Sequence, residues 1–499
     1  MACGTCQGLS YCAAGTCQAA CVQQSCGTDH DVACGVCSGE NYCDSTHACS
    51  AWTNCPAGSG VVVQPSATAN RSCAACTGGY SAVANVPCTP WSPACIGVES
   101  LPPTATRDRA CYGGWNDTYG SRTRDQESFA LALIGGGDAV VGGDISKLDN
   151  AAVTDTDEYA YIRRLSKADG SVIWERLLGG KSLNRVRGLS TDSTGFAYAV
   201  GYAYGDVGAG NKGDADVFVI KLQVADGTVS WTRDLGTAAF DLGNAIAVAP
   251  DGNLLITGYT RGALAGPRVS TGNDSDVFAF KLSSADGSVL WQTQFGPGSG
   301  QGITVDANGD AFVAAEARLT GSAAEGDGSF AVRKLSGSTG GELWSQRFGI
   351  PVGGEAVAAI ADASGDVFVS GSDASGGILT LKLAGNDGHR LWSQQLGPES
   401  ELWQGIALTS KGNVLLTGTT NGDLDGEGVK SGAFVFELSK TDGSVTWVEQ
   451  FGAPYRESGR AVAQDGSGSI WVTGRRTIDR NDPPTGATRD NSFVAKITR

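Results

Sequence analysis

The stretch Lys281–Gly296, KLSSADGSVLWQTQFG, decides the architecture, because its sixteen-residue frame returns along most of the chain. In each copy a cationic residue and a Leu stand ten and nine places before a Trp, a Gly stands four before it, and an apolar residue and a Gly follow four and five after it. The Trp positions are Trp174, Trp231, Trp291, Trp344, Trp392 and Trp447. The leading residues are Arg164, Lys221, Lys281, Lys334, Lys382 and, with reversed charge, Glu437. Self-similarity of this kind marks a repeat architecture, and the repeat unit then dictates the fold.

Working outward from the third copy, NAIAVAP (244–250), NLLITGYT (253–260), DVFAFKL (276–282) and SVLWQTQFG (288–296) read as four strands joined by one long loop and two tight turns. The turns carry Asp-Gly pairs such as Asp286-Gly287, where Gly accepts a positive φ without steric penalty. Four short strands in 48 to 60 residues make one blade of a β-propeller rather than one coil of a solenoid. The chain ends at NSFVAKITR, where Lys496 and Ile497 take the cation and Leu places with no Trp strand after them. The missing strand is expected at the other end of the array, where Trp115 to Gly120 repeats the order Trp, apolar residue, Gly. Six whole frames plus this split one predict an all-β, seven-bladed β-propeller over 112–499, with residues 112–120 closing the last blade and removing open sheet edges. The recurring Trp is expected to pack between blades.

Sixteen cysteines lie between Cys3 and Cys111 and none follows, which marks a domain boundary: 1–111 cysteine-rich, 112–499 propeller. They are Cys3, Cys6, Cys12, Cys17, Cys21, Cys26, Cys34, Cys37, Cys43, Cys49, Cys55, Cys73, Cys76, Cys88, Cys95 and Cys111. Dense, even-numbered cysteine in a segment too poor in apolar residues for a core predicts a disulfide framework and an oxidising, extracellular or cell-surface setting. The CxxC pairs Cys3-Cys6, Cys34-Cys37 and Cys73-Cys76 also admit zinc, but that would leave ten cysteines without a role. The pairing of the cysteines stays open. No signal sequence precedes Cys3, so an N-terminus missing or removed by processing is expected, and no apolar run is long enough to span a membrane. Two repeat types occur: CGTCQGLSYC (3–12) with CGVCSGENYC (34–43), and Trp52 to Cys73 with Trp91 to Cys111. The second type, in HACSAWTNCPAGSGVVVQPSATANRSCAAC (47–76) and its shorter copy, resembles the cysteine-rich repeats of tumour necrosis factor receptor ectodomains. That resemblance implies disulfide ladders that bind protein ligands.

The formal net charge is −16, of which −13 falls after residue 111. An acidic surface repels phosphate backbones and anionic lipid, so nucleic acid and membrane insertion are not expected. Good solubility is the plainer meaning of the same charge.

The array resembles the bacterial-type β-propeller repeat (SBBP-like), carried here by TGYTRGALAG (257–266) with DVFAFKL, and by TGTTNGDLDG (417–426) with AFVFEL (433–438). The resemblance implies a secreted or surface propeller and brings no catalytic residues. KLSGSTGGELWSQRFG (334–349) is also similar to the tryptophan-docking motif of pyrroloquinoline quinone dehydrogenases, but that motif is shared by cofactor-free scaffold proteins of outer-membrane assembly. The array lacks cysteine, and its single histidine, His389, falls in a turn, so no catalytic residues and no enzyme are expected.

Function is instead expected on the face that carries the long loops 203–214, 260–275, 318–328 and 420–432. A polar residue precedes the small residue of the first strand in five blades: Arg187, Asn244, Gln301, Gln404 and Arg460. They are expected to ring one channel mouth as ligand-binding residues, or else to satisfy loop backbone groups. Asp423, Asp425 and Glu427 alternate on a Gly-rich loop and offer oxygen ligands for calcium, as do Asp306, Asn308 and Asp310 less fully; solvated loop acids are the alternative. Asn70, Asn116 and Asn273 head glycosylation sequons that a eukaryotic secretory pathway would use. The expected function is extracellular, non-enzymatic binding or structure, with the propeller recognising protein or glycan. The alternatives are an assembly subunit of a surface filament or sheath, which would self-assemble, and a quinoprotein-like or carbohydrate-active enzyme.

Overall fold

A computed structural model describes residues 10–13, 16–19, 41–43, 49–51, 59–63, 72–75, 79–80, 89–90, 99–101, 110–111, 116–119, 125–146, 158–179, 182–205, 207–208, 210–318, 328–348, 356–372, 377–396, 400–422, 424, 432–451, 456–479 and 488–498. The chain divides into two compact units, Met1–Tyr112 and Gly113–Arg499.

Five two-stranded antiparallel hairpins are described in the first unit, among them Ser10–Ala13 with Thr16–Ala19 and Asn41–Cys43 with Cys49–Ala51. The cysteine side chains, Asn70 and most of the receptor-like segment 47–76 lie outside the described residues.

The second unit is a propeller of seven four-stranded antiparallel sheets, each running in chain order from its first strand to its fourth. Blade 1 spans Gln126–Leu178, blade 2 Asn184–Leu235, blade 3 Asp241–Phe295, blade 4 Gly298–Phe348, blade 5 Ala356–Leu396 and blade 6 Ser400–Phe451. Blade 7 has Arg456–Gln464, Ile470–Asp479 and Thr488–Ile497, and its outer strand is Asn116–Tyr119, paired antiparallel to Ser492–Ala495. The ring is therefore closed by hydrogen bonding between the two ends of the unit, as the truncated frame at Lys496 requires. First strands of successive blades touch each other all the way round, including the first strand of blade 7 against that of blade 1, so they line the central axis. Among the described residues no helix is long and apolar enough to cross a membrane.

The core lies between blades rather than within them. The second and third strands are nearly continuously buried on both faces, as in Asp276–Leu282, and their side chains form shared clusters such as Val200, Ile256 and Phe280 between blades 2 and 3. The repeated frame explains how the blades lock. Its cation sits directly opposite its Trp in the register, for example Lys281 opposite Trp291. Both then reach one backbone oxygen of the next blade: Lys281 Nζ and Trp291 Nε1 donate to the Gly337 carbonyl at 2.8 and 3.0 Å. Lys334 and Trp344 do the same at Gly385, Lys221 and Trp231 at Ser284, and Arg164 and Trp174 at Val224. The turn Gly340 has φ 71°, and a Cβ there would stand 2.6 Å from the Trp291 ring. The turn glycine thus serves both the hairpin and the indole packed on it.

Candidate ligand site in the central channel

Every first strand breaks register at one point. The ladder skips Phe129, Arg187, Asn244, Gln301 and Val357 in blades 1 to 5, the stretch between Glu401 and Gly405 that includes Gln404 in blade 6, and Arg460 in blade 7. A bulge leaves its extra residue out of the ladder and re-aims the side chain. The next residue must be small because the neighbouring blade abuts it: a Cβ on Gly405 would meet the Ala461 Cα at 2.6 Å. The five polar residues singled out in the sequence thus occupy structurally equivalent bulges. They lie about midway along strands such as Asn184–Thr191 and Asp241–Val248 rather than at the strand ends where a channel mouth would be.

Their side chains differ in what they do. Asn244 is buried and donates through Nδ2 to the Gly300 carbonyl of the next blade at 2.9 Å, which is the backbone-satisfying role. Gln301 Nε2 donates to the Ser299 hydroxyl at 3.0 Å. The side chain of Gln404 lies outside the described residues. Arg187 and Arg460 flank blade 1 from either side and converge on Phe129, their guanidinium carbons 5.2 and 5.5 Å from its ring centroid. Arg185 joins them at 4.5 Å. Three guanidinium groups around one phenyl ring make a desolvated, cation–π-stabilised cluster.

Two carboxylates partly balance it: Arg185 pairs with Asp144 at 2.6 Å, and Arg460 pairs with Glu127. Burial pushes Arg187 down, as does the repulsion of Arg185 and Arg460. Burial likewise pushes Arg460 down, against the pull of Glu127. Guanidinium nevertheless stays charged at any ordinary pH. Burial raises Asp144 to about 7, with Glu127 and Glu158 adding to the effect and Arg185 opposing it.

A row of aromatic rings continues from this cluster over the loop-rich side of blades 2 and 3. Tyr202, Tyr204, Phe240 and Tyr259 follow one another at centroid spacings of 6.4, 5.8 and 6.1 Å, with Arg261 5.5 Å from the Phe240 centroid. Tyr202 lies in the field of Arg185 and Arg187, and Tyr259 in that of Arg261 and Arg187, so row and cluster are contiguous. Tyr204 is exposed, Phe240 and Tyr259 are half-buried, and Tyr202, Ala215 and Leu242 anchor the row in the core.

The adjoining long loop is held rigid. Asp276 accepts from the amides of Val269 and Ser270 and from Gln294 Nε2, while Gln294 Oε1 accepts from the amides of Leu264 and Ala265. Burial works against the Asp276 charge, but these donors outweigh it and hold the carboxyl below its ordinary range. Asn273 is exposed on this loop, and Asn116 pairs with Ala495 in the closing strand, where its side chain is not among the described residues.

The metal candidates Asp423, Asp425 and Glu427 lie outside the described residues. Asp306 and Asp310 are occupied by the Lys334 ammonium at 2.8 and 3.5 Å, so an internal cation fills that turn. Among the described residues no other group of side chains has the make-up of a metal site. His389 is exposed, with Nδ1 2.6 Å from Asp387 of its own turn. Phe129, Arg185 and the aromatic row were not singled out from the sequence. Phe129 carried a usable signal, since it stands at the bulge position of blade 1 one place before the small residue Ala130.

Residues 273–488 match the family model described as outer membrane protein assembly factor BamB, which is less than half of the chain. No curated protein matches. Among solved structures, the propeller domain of Myceliophteria thermophila Cps50 (Swd1) is similar at 9% identity and a TM-score of 0.45, covering 77% of this chain and 100% of that one. Hydrazine synthase of Kuenenia stuttgartiensis is similar at 9% identity and 0.42, covering 69% and 92%. A protein of unknown function from Bacteroides caccae is similar at 13% identity and 0.35, covering 55% and 81%. None of these likenesses bears on ligand or activity. The family match and the seven closed blades together make this chain a β-propeller repeat protein.

Proposed function

We propose that this chain is a non-enzymatic binding or structural protein of the cell exterior, in which a disulfide-stapled cysteine-rich segment is joined to a propeller that recognises glycan or protein. The observation that supports this most is the convergence of Arg185, Arg187 and Arg460 on Phe129, continuous with the aromatic row on the loop-rich side. Arginine and aromatic side chains on a rigid scaffold are the usual ingredients of recognition. A carbohydrate-hydrolysing reading needs two carboxylates flanking the scissile bond, and the two in the cluster, Asp144 and Glu127, are each engaged by an arginine. A glycan array and a surface pull-down with the full chain are expected to give saturable binding. Turnover of model glycosides, or a quinone absorbance band after reconstitution, with no ligand captured, would replace this reading with an enzymatic one.

A second reading has its own support. The match of residues 273–488 to the assembly-factor model favours a scaffold that holds partner proteins in an assembly. Ordered polymers in micrographs of the native material, or a stoichiometric protein partner, would favour it.

A further inference from the structure

The channel cluster and the aromatic row share a concentration of arginine on a chain of net charge −16. Arg185, Arg187, Arg460 and Arg261 gather there; Asp144 and Glu127 are paired with two of them, and Glu158 and Asp214 lie within electrostatic reach of Asp144 and Tyr204. The three channel guanidinium groups come from blades 2 and 7, with Phe129 of blade 1 between them, so they are fixed by the ring rather than by a mobile loop. Like charges held this close repel, and a bound anion relieves that repulsion where water is largely excluded.

We propose that this cluster and the adjoining row form a subsite for a carboxylate-bearing sugar, the carboxylate taken by Arg187 and Arg460 beside Phe129 and the neighbouring sugar rings lying along Tyr204, Phe240 and Tyr259. This deepens the binding function proposed above and rests on it. Arginine presents a planar fork that matches a carboxylate with two parallel hydrogen bonds. The ring spacings of 5.8 and 6.1 Å from Tyr204 through Phe240 to Tyr259 advance by about one sugar unit per step. The rings of Tyr204, Phe240 and Tyr259 are inclined to one another at 60° and 37°, so they form a stepped apolar surface, with a hydroxyl on each tyrosine. A sugar has the complementary make-up, an apolar C–H face rimmed by hydroxyls. An acidic peptide would satisfy the arginines, but its apolar side chains would want closed pockets, and the row supplies a surface instead.

The test is calorimetric titration of the full chain with a glucuronate-containing tetrasaccharide from hyaluronan, with neutral cellotetraose and a hexaglutamate peptide as comparisons. The acidic tetrasaccharide is expected to bind at least about tenfold more tightly than either, and its affinity is expected to fall as salt rises. Arg187→Gln, which also removes the cation–π contact with Phe129, is expected to weaken it about tenfold or more. Tyr204→Ala, at a partly exposed position in ring contact with Tyr202 and Phe240, is expected to weaken it while leaving the cooperative fold intact. Equal affinity for cellotetraose, tighter binding of hexaglutamate, or an Arg187→Gln variant that melts and binds like the parent would overturn the subsite. If a protein or neutral glycan binds elsewhere and ignores both variants, the subsite fails while the binding function stands. If nothing binds on the array or in the pull-down, both fail.

Discussion

Lys281 and Trp291 lie opposite each other on adjacent strands and donate to the same oxygen, the Gly337 carbonyl of the following blade, at 2.8 and 3.0 Å. One backbone acceptor with two lone pairs thus receives a charged and a neutral donor. The ammonium is also held by Asp251 at 2.7 Å, so charge, hydrogen bond and indole packing meet at one interblade point.

Trp291 is buried, and truncating it removes both the packing against Gly340 and the indole donor. Trp291→Ala is expected to lower stability by about 3–5 kcal/mol. Trp291→Phe keeps much of the packing and loses the N–H, so about 1 kcal/mol plus a small packing loss is expected. Chemical denaturation of both variants checks this, and equal losses would show that the hydrogen bond outweighs the packing.

Blade 6 reverses the charge of the clamp. Glu437 takes the cation's place opposite Trp447, and its Oε1 accepts from Asn413 Nδ2 at 2.8 Å. Blade 4 has Asp306 and Asp310 at the corresponding turn positions, where blade 6 has Thr409 and Asn413. Glu437→Lys alone is expected to cost about 1–3 kcal/mol, because the new ammonium meets no carboxylate and Asn413 loses its acceptor. Adding Thr409→Asp is expected to recover most of that loss, a coupling that a double-mutant cycle measures. Additive losses would mean that the turn does not select the charge.

The closing strand Asn116–Tyr119 pairs with Ser492–Ala495 and completes blade 7. A chain beginning at Ser121 would leave the edge of Thr488–Ile497 open. It is expected to melt about 5 °C or more below a chain beginning at Gly113 and to scatter light on standing, since an open edge pairs with other copies. Identical melting of the two chains would show that ring closure contributes little.

Blade number, ring closure and the Trp clamp were legible in the sequence because each is a periodic demand: the same gap recurs, so the same residues recur. The ligand site was only half legible. Arg187, Asn244, Gln301, Gln404 and Arg460 were found by alignment, but spacing does not reveal that Asn244 turns to the Gly300 carbonyl while Arg187 and Arg460 turn to Phe129. That difference is set by which blades stand next to each other, and blades 7 and 1 are neighbours only after closure. The aromatic row was hidden for a similar reason, because Tyr204, Phe240 and Tyr259 come from two blades and the connection between them, with no shared period.

Asp144 gives the channel a pH dependence whose sign is fixed by the direction of its shift. Burial raises it from 3.8 to about 7 in the folded chain, while Arg185 opposes this and Glu127 and Glu158 reinforce it; Tyr161 and Tyr202 also lie within its field. Its Oδ1 has no hydrogen-bond partner. Between pH 3.8 and about 7 the folded state therefore holds a proton that the unfolded state has released. Stability from this group is then lost as pH rises through that window and levels off above it. Asp144→Asn mimics the protonated side chain and removes the titration. Relative to the parent it is expected to gain stability between pH 5 and pH 8, by on the order of a few kcal/mol at most. Denaturation at both pH values measures the difference, and a parent and variant that run parallel would mean that Arg185 keeps Asp144 ionised throughout. The opposite trend comes from Asp465, which burial disfavours but the donors from Ser467, Ser469 and Trp471 more than stabilise, lowering it to about 2. Its contribution is present above 3.8 and disappears as pH falls towards 2, so the two groups act at separate ends of the profile and the Asp144 effect can be read without interference.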